Sequence, residues 1–154
     1  MPEIRYPPRP IELDALVSLL VKEHKEIEEG LSKIREAVQR GDFAKVSSTL
    51  KEIDPIFRQH IVDEESQIVR LLVGMLGVKG AEEEIRVFQQ HRPIHRLMEA
   101  VSELASRSAL ELESEQSKLS SLFLEHTSLE ESRVFPKALR LFESGPDRPA
   151  SEGG

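Results

Sequence analysis

The stretch LVSLLVKEHKEIEEGLSKIREAV (residues 16–38) decides the fold class. Its apolar residues Leu16, Val17, Leu20, Ile27, Leu31, Ile34 and Val38 recur at three- and four-residue steps, the period of one face of an α-helix. Lys, Glu, Ser and Arg fill most of the other positions, so the helix is amphipathic and needs partners to bury its stripe. His24 falls within that stripe, one turn after Leu20. An imidazole on the buried side of a long helix is the first sign of chemistry.

Working outward, the segment MPEIRYPPRP (1–10) before this helix carries four of the nine prolines and reads as an extended arm. After it, Gly41 ends the periodic run and Asp42 has the character of an N-cap. A second helix follows through Phe43, Val46, Leu50, Ile53, Phe57, His60, Ile61, Glu64, Ile68 and Leu71, with Pro55 expected to bend or split it. GMLGVKG (74–80) reads as a loop. Further helices are expected over about 81–106 and 110–135, the second ended or kinked at Pro136. The tail SGPDRPASEGG (144–154) has a disordered composition. No strand-like alternation occurs. The sum is an all-α chain, an antiparallel up-and-down four-helix bundle over 11–143 with an extended N-terminal arm.

Composition limits the partners. The chain has 154 residues, a length that suits one domain. Charged residues make up 32%, and there is neither a long apolar run nor a leader-like start, so a soluble, unexported, cytoplasmic protein is expected. The net charge of -7 and the scattered basic residues argue against nucleic acid and anionic membrane as partners. Cysteine is absent, which excludes disulfides, thiolate catalysis, iron–sulfur clusters and Cys-based zinc sites.

The chain has only five histidines: His24, His60, His91, His95 and His126. Each is expected on an apolar stripe, preceded by residues such as Ile56 and Phe57 before His60 or Leu122 and Phe123 before His126. Glu64 lies four residues after His60 and so on the same face. Glu130 and Glu131 follow His126. Any one of these residues alone has an ordinary explanation, as a satisfied core histidine, a helix hydrogen bond or a solvated charge run. Together they would bury many polar groups without partners, and a metal ion relieves that cost. Nitrogen and oxygen donors without sulfur suit six-coordinate iron or manganese better than a closed zinc site. No histidine has Glu three residues before it, so a ferritin-like di-iron motif is absent.

The order of these residues resembles the hemerythrin family in its HHE cation-binding form. The pattern is His24 on the first helix, His60-x-x-x-Glu64 on the second, His91-x-x-x-His95 on the third and His126 followed by Glu131 on the fourth; "EESRVFP" (130–136) adds to the likeness. The resemblance implies a non-haem centre of two iron ions, oxo- or hydroxo-bridged. His24, His60, His91, His95 and His126 would be terminal ligands and Glu64 and Glu131 bridges, with one position left open for dioxygen. Ideal helical geometry favours Glu130 over Glu131, because i+4 lies nearer the face of His126 than i+5; the resemblance favours Glu131, which is the residue adopted. Pro93 lies between two of these histidines and should bend the third helix at the site.

The function expected from this is binding or sensing of dioxygen, with Phe57, Phe88, Leu122 and Phe123 restricting water. The alternatives are peroxide or nitric oxide chemistry, iron sensing or storage at the same site, and a metal-free interaction bundle. No nucleophile or acid/base constellation stands outside the metal site, so an enzymatic role has no independent support.

Overall fold

The computed structural model describes residues 6–107 and 109–143, almost all of them helical and none in a strand. Six helices build four rods. The first is α1 (Leu13–Arg40); the second is α2 (Phe43–Glu64), a π-helical turn at Glu65–Val69, and α3 (Arg70–Gly80). The third is α4 (Glu82–Leu104). The fourth is α5 (Ala109–Leu129), a second π-helical turn at Glu130–Val134, and α6 (Phe135–Glu143). In space α1 packs against α2 and α5, and α4 packs against α5 and the second rod, giving an up-and-down bundle. No described helix is long and apolar enough to cross a membrane.

Local signals explain the ends. Gly41 adopts φ 71°, ψ 20°, and its N–H closes the end of α1 on the carbonyls of Ala37 and Val38. Asp42 caps α2 by accepting from the Lys45 N–H at 3.1 Å. Gly77 (φ 75°, ψ 168°) breaks α3 inside the expected 74–80 loop, so the helix reaches further into that segment than its glycines suggested. Neither Pro55 nor Pro93 splits its helix, because both rings lie on the solvent side, where water can take the carbonyl freed by the missing N–H. Pro136 follows the second π turn, and the chain stays helical beyond it to Glu143.

The arm is non-helical from Tyr6 to Glu12, turns tightly where the Ile11 N–H donates to the Arg9 carbonyl at 2.9 Å, and is fastened to the second rod. Gln59 donates to the Pro7 carbonyl at 2.9 Å, Gln67 to the Arg9 carbonyl at 2.7 Å, and the Arg9 N–H and Nε donate to the buried Asp63 carboxylate at 2.8 and 2.6 Å. The first five residues of the expected arm and the 144–154 tail lie outside the described residues.

The apolar core is two clusters. One gathers Ile27, Leu31, Ile34, Leu50, Ile53, Phe57, Ile94, Met98, Val101, Leu112, Leu119 and Phe123. The other gathers Leu16, Val17, Leu20, Ile68, Leu72, Val87, Val134, Phe135 and Ala138. Close approach of α1 and α2 in the first depends on Gly30, where a Cβ would overlap the Ile53 side chain. Along every rod the change from one cluster to the other falls at a histidine: His24 between Leu20 and Ile27, His60 between Phe57 and Ile68, His91 between Val87 and Ile94, and His126 between Phe123 and Val134.

Candidate metal centre

A polar layer fills the gap between the two clusters. His24, His60, His91, His126, Glu64 and Glu130 are all buried there, the two carboxylates completely. Their atoms form two groups, His24, His60, Glu64 and Glu130 on one side and His91, His126, Glu64 and Glu130 on the other; within each group the ligand-type atoms lie within 4.8 Å of one another. The groups share Glu64 and Glu130. Within each pair of imidazoles the rings stand 4.8 Å apart (His24 and His60) or 4.9 Å apart (His91 and His126).

Every imidazole is oriented in the same way. Nδ1–H donates outward: His24 to Glu131 at 2.7 Å, His60 to Glu23 at 3.1 Å, His91 to Glu65 at 2.6 Å and His126 to the amide oxygen of Gln90 at 2.8 Å. Nε2 faces inward, close to a shared carboxylate: His24 and His126 to Glu130 at 2.9 and 3.0 Å, His60 and His91 to Glu64 at 3.1 and 2.9 Å. With the proton on Nδ1, the Nε2 lone pairs of His24, His60 and His126 each meet an oxygen lone pair about 3 Å away, an arrangement that repels unless a proton or a cation sits between them, whereas His91 Nε2 is hydrogen-bonded to Glu64 at 2.9 Å.

Hydrogen bonding supplies the test of fit. Among the described residues, the buried side-chain atoms without a hydrogen-bond partner are Nε2 of His24, His60 and His126, Oε2 of Glu64 and both oxygens of Glu130. All of them point into this one layer. Elsewhere among the described residues buried polar groups are satisfied: Glu84 accepts from Lys137, Asp63 from Arg9, and Gln116 donates to Ser120. Concentrated orphans of nitrogen and carboxylate oxygen are the donor set of a cation site.

Without a cation the layer's charges are pushed apart. Burial drives His126 down to about 3; burial and then the neighbouring His60 take His24 down to about 4. Burial works against His91 too, but its hydrogen bonds to Glu64 and Glu65 outweigh it and lift the ring to about 9. Burial, reinforced by the Glu64 charge, raises Glu130 well above the ordinary carboxyl range. At Glu64 burial is outweighed by Glu130, His60 and His91, and the group stays well below that range.

Five of the seven residues expected at the site, His24, His60, Glu64, His91 and His126, are brought together. His95 and Glu131, also expected there, stand outside this cluster. On α4 the buried positions run Val87, His91, Ile94, Met98, Val101, alternating steps of four and three, so His95 falls at the edge of the stripe. Its ring accepts from Arg58 at 3.1 Å and pairs with Glu99 at 3.2 Å. Glu131 has a 40% exposed side chain and reaches only the outer nitrogen of His24, while Glu130, one turn after His126, occupies the interior. Phe88, expected to shield the site, is half exposed; Phe135 stacks on His24 instead, 5.7 Å between ring centres.

Glu23, Glu65 and Gln90 were not singled out from the sequence, yet a signal for them exists. HIVDEES (60–66) and HTSLEES (126–132) are one motif used twice, and Glu23-His24 is echoed by Gln90-His91. The structure turns this repeat into a pseudo-twofold arrangement. Each Glu-Glu pair grips both ring nitrogens of one imidazole from another rod, Glu64 and Glu65 holding His91, Glu130 and Glu131 holding His24. The first π turn begins at Glu65, just after His60-x-x-x-Glu64, and the second at Glu130, the last residue of His126-x-x-x-Glu130, with the Arg70 N–H reaching back to Glu65 and the Phe135 N–H to Glu130.

The family model for the hemerythrin HHE cation-binding domain matches residues 15–138. Neither a curated protein nor a solved structure matches the chain.

Proposed function

The chain belongs to the hemerythrin HHE cation-binding domain family, and on that premise we propose that it holds a dinuclear non-haem iron centre that binds or senses dioxygen. His24 and His60 would hold one ion and His91 and His126 the other, with Glu64 and Glu130 common to both. The observation that carries this reading is the pair of buried donor groups sharing two carboxylates, with orphaned atoms gathered in that layer alone among the described residues. Nitrogen and carboxylate donors without sulfur favour iron or manganese. Bound as ferrous ions, the pair would supply electrons and open positions to dioxygen or a similar small ligand.

The chain's own groups have definite tasks. The Nδ1–H bonds fix each imidazole in the tautomer that presents Nε2 and raise its basicity as a ligand. Phe57, Phe123 and Phe135 pack beside the layer and keep bulk water from it, which slows irreversible oxidation.

A second reading is supported by the position of His95. Without it each ion has two imidazoles and two carboxylate oxygens from the protein, so a six-coordinate ion keeps two free positions. More room for exogenous ligands favours turnover of peroxide or nitric oxide, or exchange of the iron itself, over simple carriage. Untagged protein reconstituted anaerobically with ferrous iron separates these cases. Two irons per chain and a visible band that appears with oxygen and vanishes on its removal support the first; steady consumption of peroxide supports the second. A stable content well below two irons sinks the dinuclear centre.

A further inference from the structure

The pseudo-twofold arrangement is broken at one place. His24 and His91 both donate Nδ1–H to a carboxylate, Glu131 and Glu65. His60 and His126 do not match: His60 donates to the Glu23 carboxylate and His126 to the Gln90 amide. Glu23 is buried, and the arm fixes it in place, because Arg9 Nη2 donates to Glu23 at 3.0 Å while the same guanidinium and the Arg9 N–H hold Asp63. Gln90 is only half buried and has no such support among the described residues.

We propose that Glu23 and Gln90 are positioning residues that make the two halves of the centre unequal: the His24–His60 half fills first and holds its ion, and the His91–His126 half exchanges its ion readily. The inference rests on the dinuclear reading above. A carboxylate accepting from Nδ1–H pushes electron density toward Nε2 and fixes the ring against rotation, whereas a neutral amide does both less well. Changing such an outer partner alters metal affinity by about 10- to 100-fold, and here that change is built into one half only. Arg9 extends the arrangement to the arm, since the guanidinium that donates to Glu23 stands on a segment anchored by Gln59 and Gln67.

The test is equilibrium binding of ferrous iron under anaerobic conditions, read against a chromophoric chelator. The unmodified protein should take up two ions in steps separated by about tenfold or more. Glu23→Gln should weaken the tight step and leave the weak one in place, and Gln90→Glu should strengthen the weak step. His126→Ala should retain one ion at the tight affinity, His60→Ala one at the weak affinity. Two indistinguishable steps, a separation indifferent to both Glu23→Gln and Gln90→Glu, or loss of the tight ion in His126→Ala would each overturn the proposal. Should Glu23→Gln fail to reach normal helicity, Gln90→Glu decides alone: a narrowed gap supports the proposal, and an unchanged gap overturns it. Fewer than two ions in the unmodified protein overturns the dinuclear centre itself and the inequality with it, a result distinct from two equal steps.

Discussion

Replacing Glu130 or Glu131 by Gln separates two adjacent residues that sequence patterning leaves in competition. Glu130 is fully buried and approaches His24 Nε2 at 2.9 Å and His126 Nε2 at 3.0 Å, one from each donor group. Glu130→Gln removes the negative charge both ions would share and turns one oxygen into an amide nitrogen that cannot bind metal. Losing even an outer-shell partner costs about 10- to 100-fold in affinity, about 1.4–2.7 kcal/mol per ion, so a shared inner group should cost at least roughly 3–5 kcal/mol over the pair. Glu131 touches only Nδ1 of His24 and its side chain is 40% exposed, so Glu131→Gln should weaken one ion at the low end of that range. The two variants should also differ without metal. Burial and the Glu64 charge already hold Glu130 well above the ordinary carboxyl range, so Glu130→Gln removes little charge from the metal-free bundle and should change its stability by no more than about 2 kcal/mol. Chelator competition gives the affinities and melting with and without metal gives the stabilities. Two ions retained by Glu130→Gln while Glu131→Gln loses both would refute the assignment of inner and outer roles.

Three other outcomes are expected. His95→Ala should keep full metal content, because the ring is engaged with Arg58 and Glu99 away from the layer; loss of an ion by elemental analysis would return His95 to the site. Metal-free stability should fall as pH drops from about 6.5 toward 4, because His24 and His126 lie at about 4 and 3 in the fold and the unfolded chain takes up their protons first; His126→Gln should flatten this acid limb in denaturant titrations. Gly30→Ala should destabilise the bundle by about 1–3 kcal/mol through overpacking against Ile53, seen as a lower Tm with unchanged metal content.

Much of the fold was legible because long amphipathic periodicity, the Gly41 end and the Asp42 cap all act locally. The donor layer was legible where a residue follows its helical stripe, as His24, His60 and His126 do. The expected set and the buried cluster differ where the stripe must choose between neighbouring positions. His95 has the same spacing from His91 that Glu64 has from His60, yet Ile94 and Met98 take the buried positions on α4 and displace it to the edge. At Glu130 the sequence geometry pointed correctly inward and the family pattern pointed one residue further. The outer acceptors Glu23, Glu65 and Gln90 depend on which rods are adjacent, information that no single helix carries. Only the repeated H-x-x-x-E-E-S string, for Glu65, and the echo of Glu23-His24 in Gln90-His91 hint at them.

The sharing of carboxylates across the pseudo-twofold has a consequence for the integrity of the chain. The rods before Gly77 supply His24, His60 and Glu64 to one donor group and lend Glu64 to the other; those after it supply His91, His126 and Glu130 and lend Glu130 in return. Bound ions would therefore act as a crosslink between two hairpins, each holding an incomplete chelate that the other finishes. Cut at the Gly77 break, the pieces should remain associated in proportion to the metal supplied, so that the bundle behaves as a heterodimer whose assembly is governed by the ions it binds.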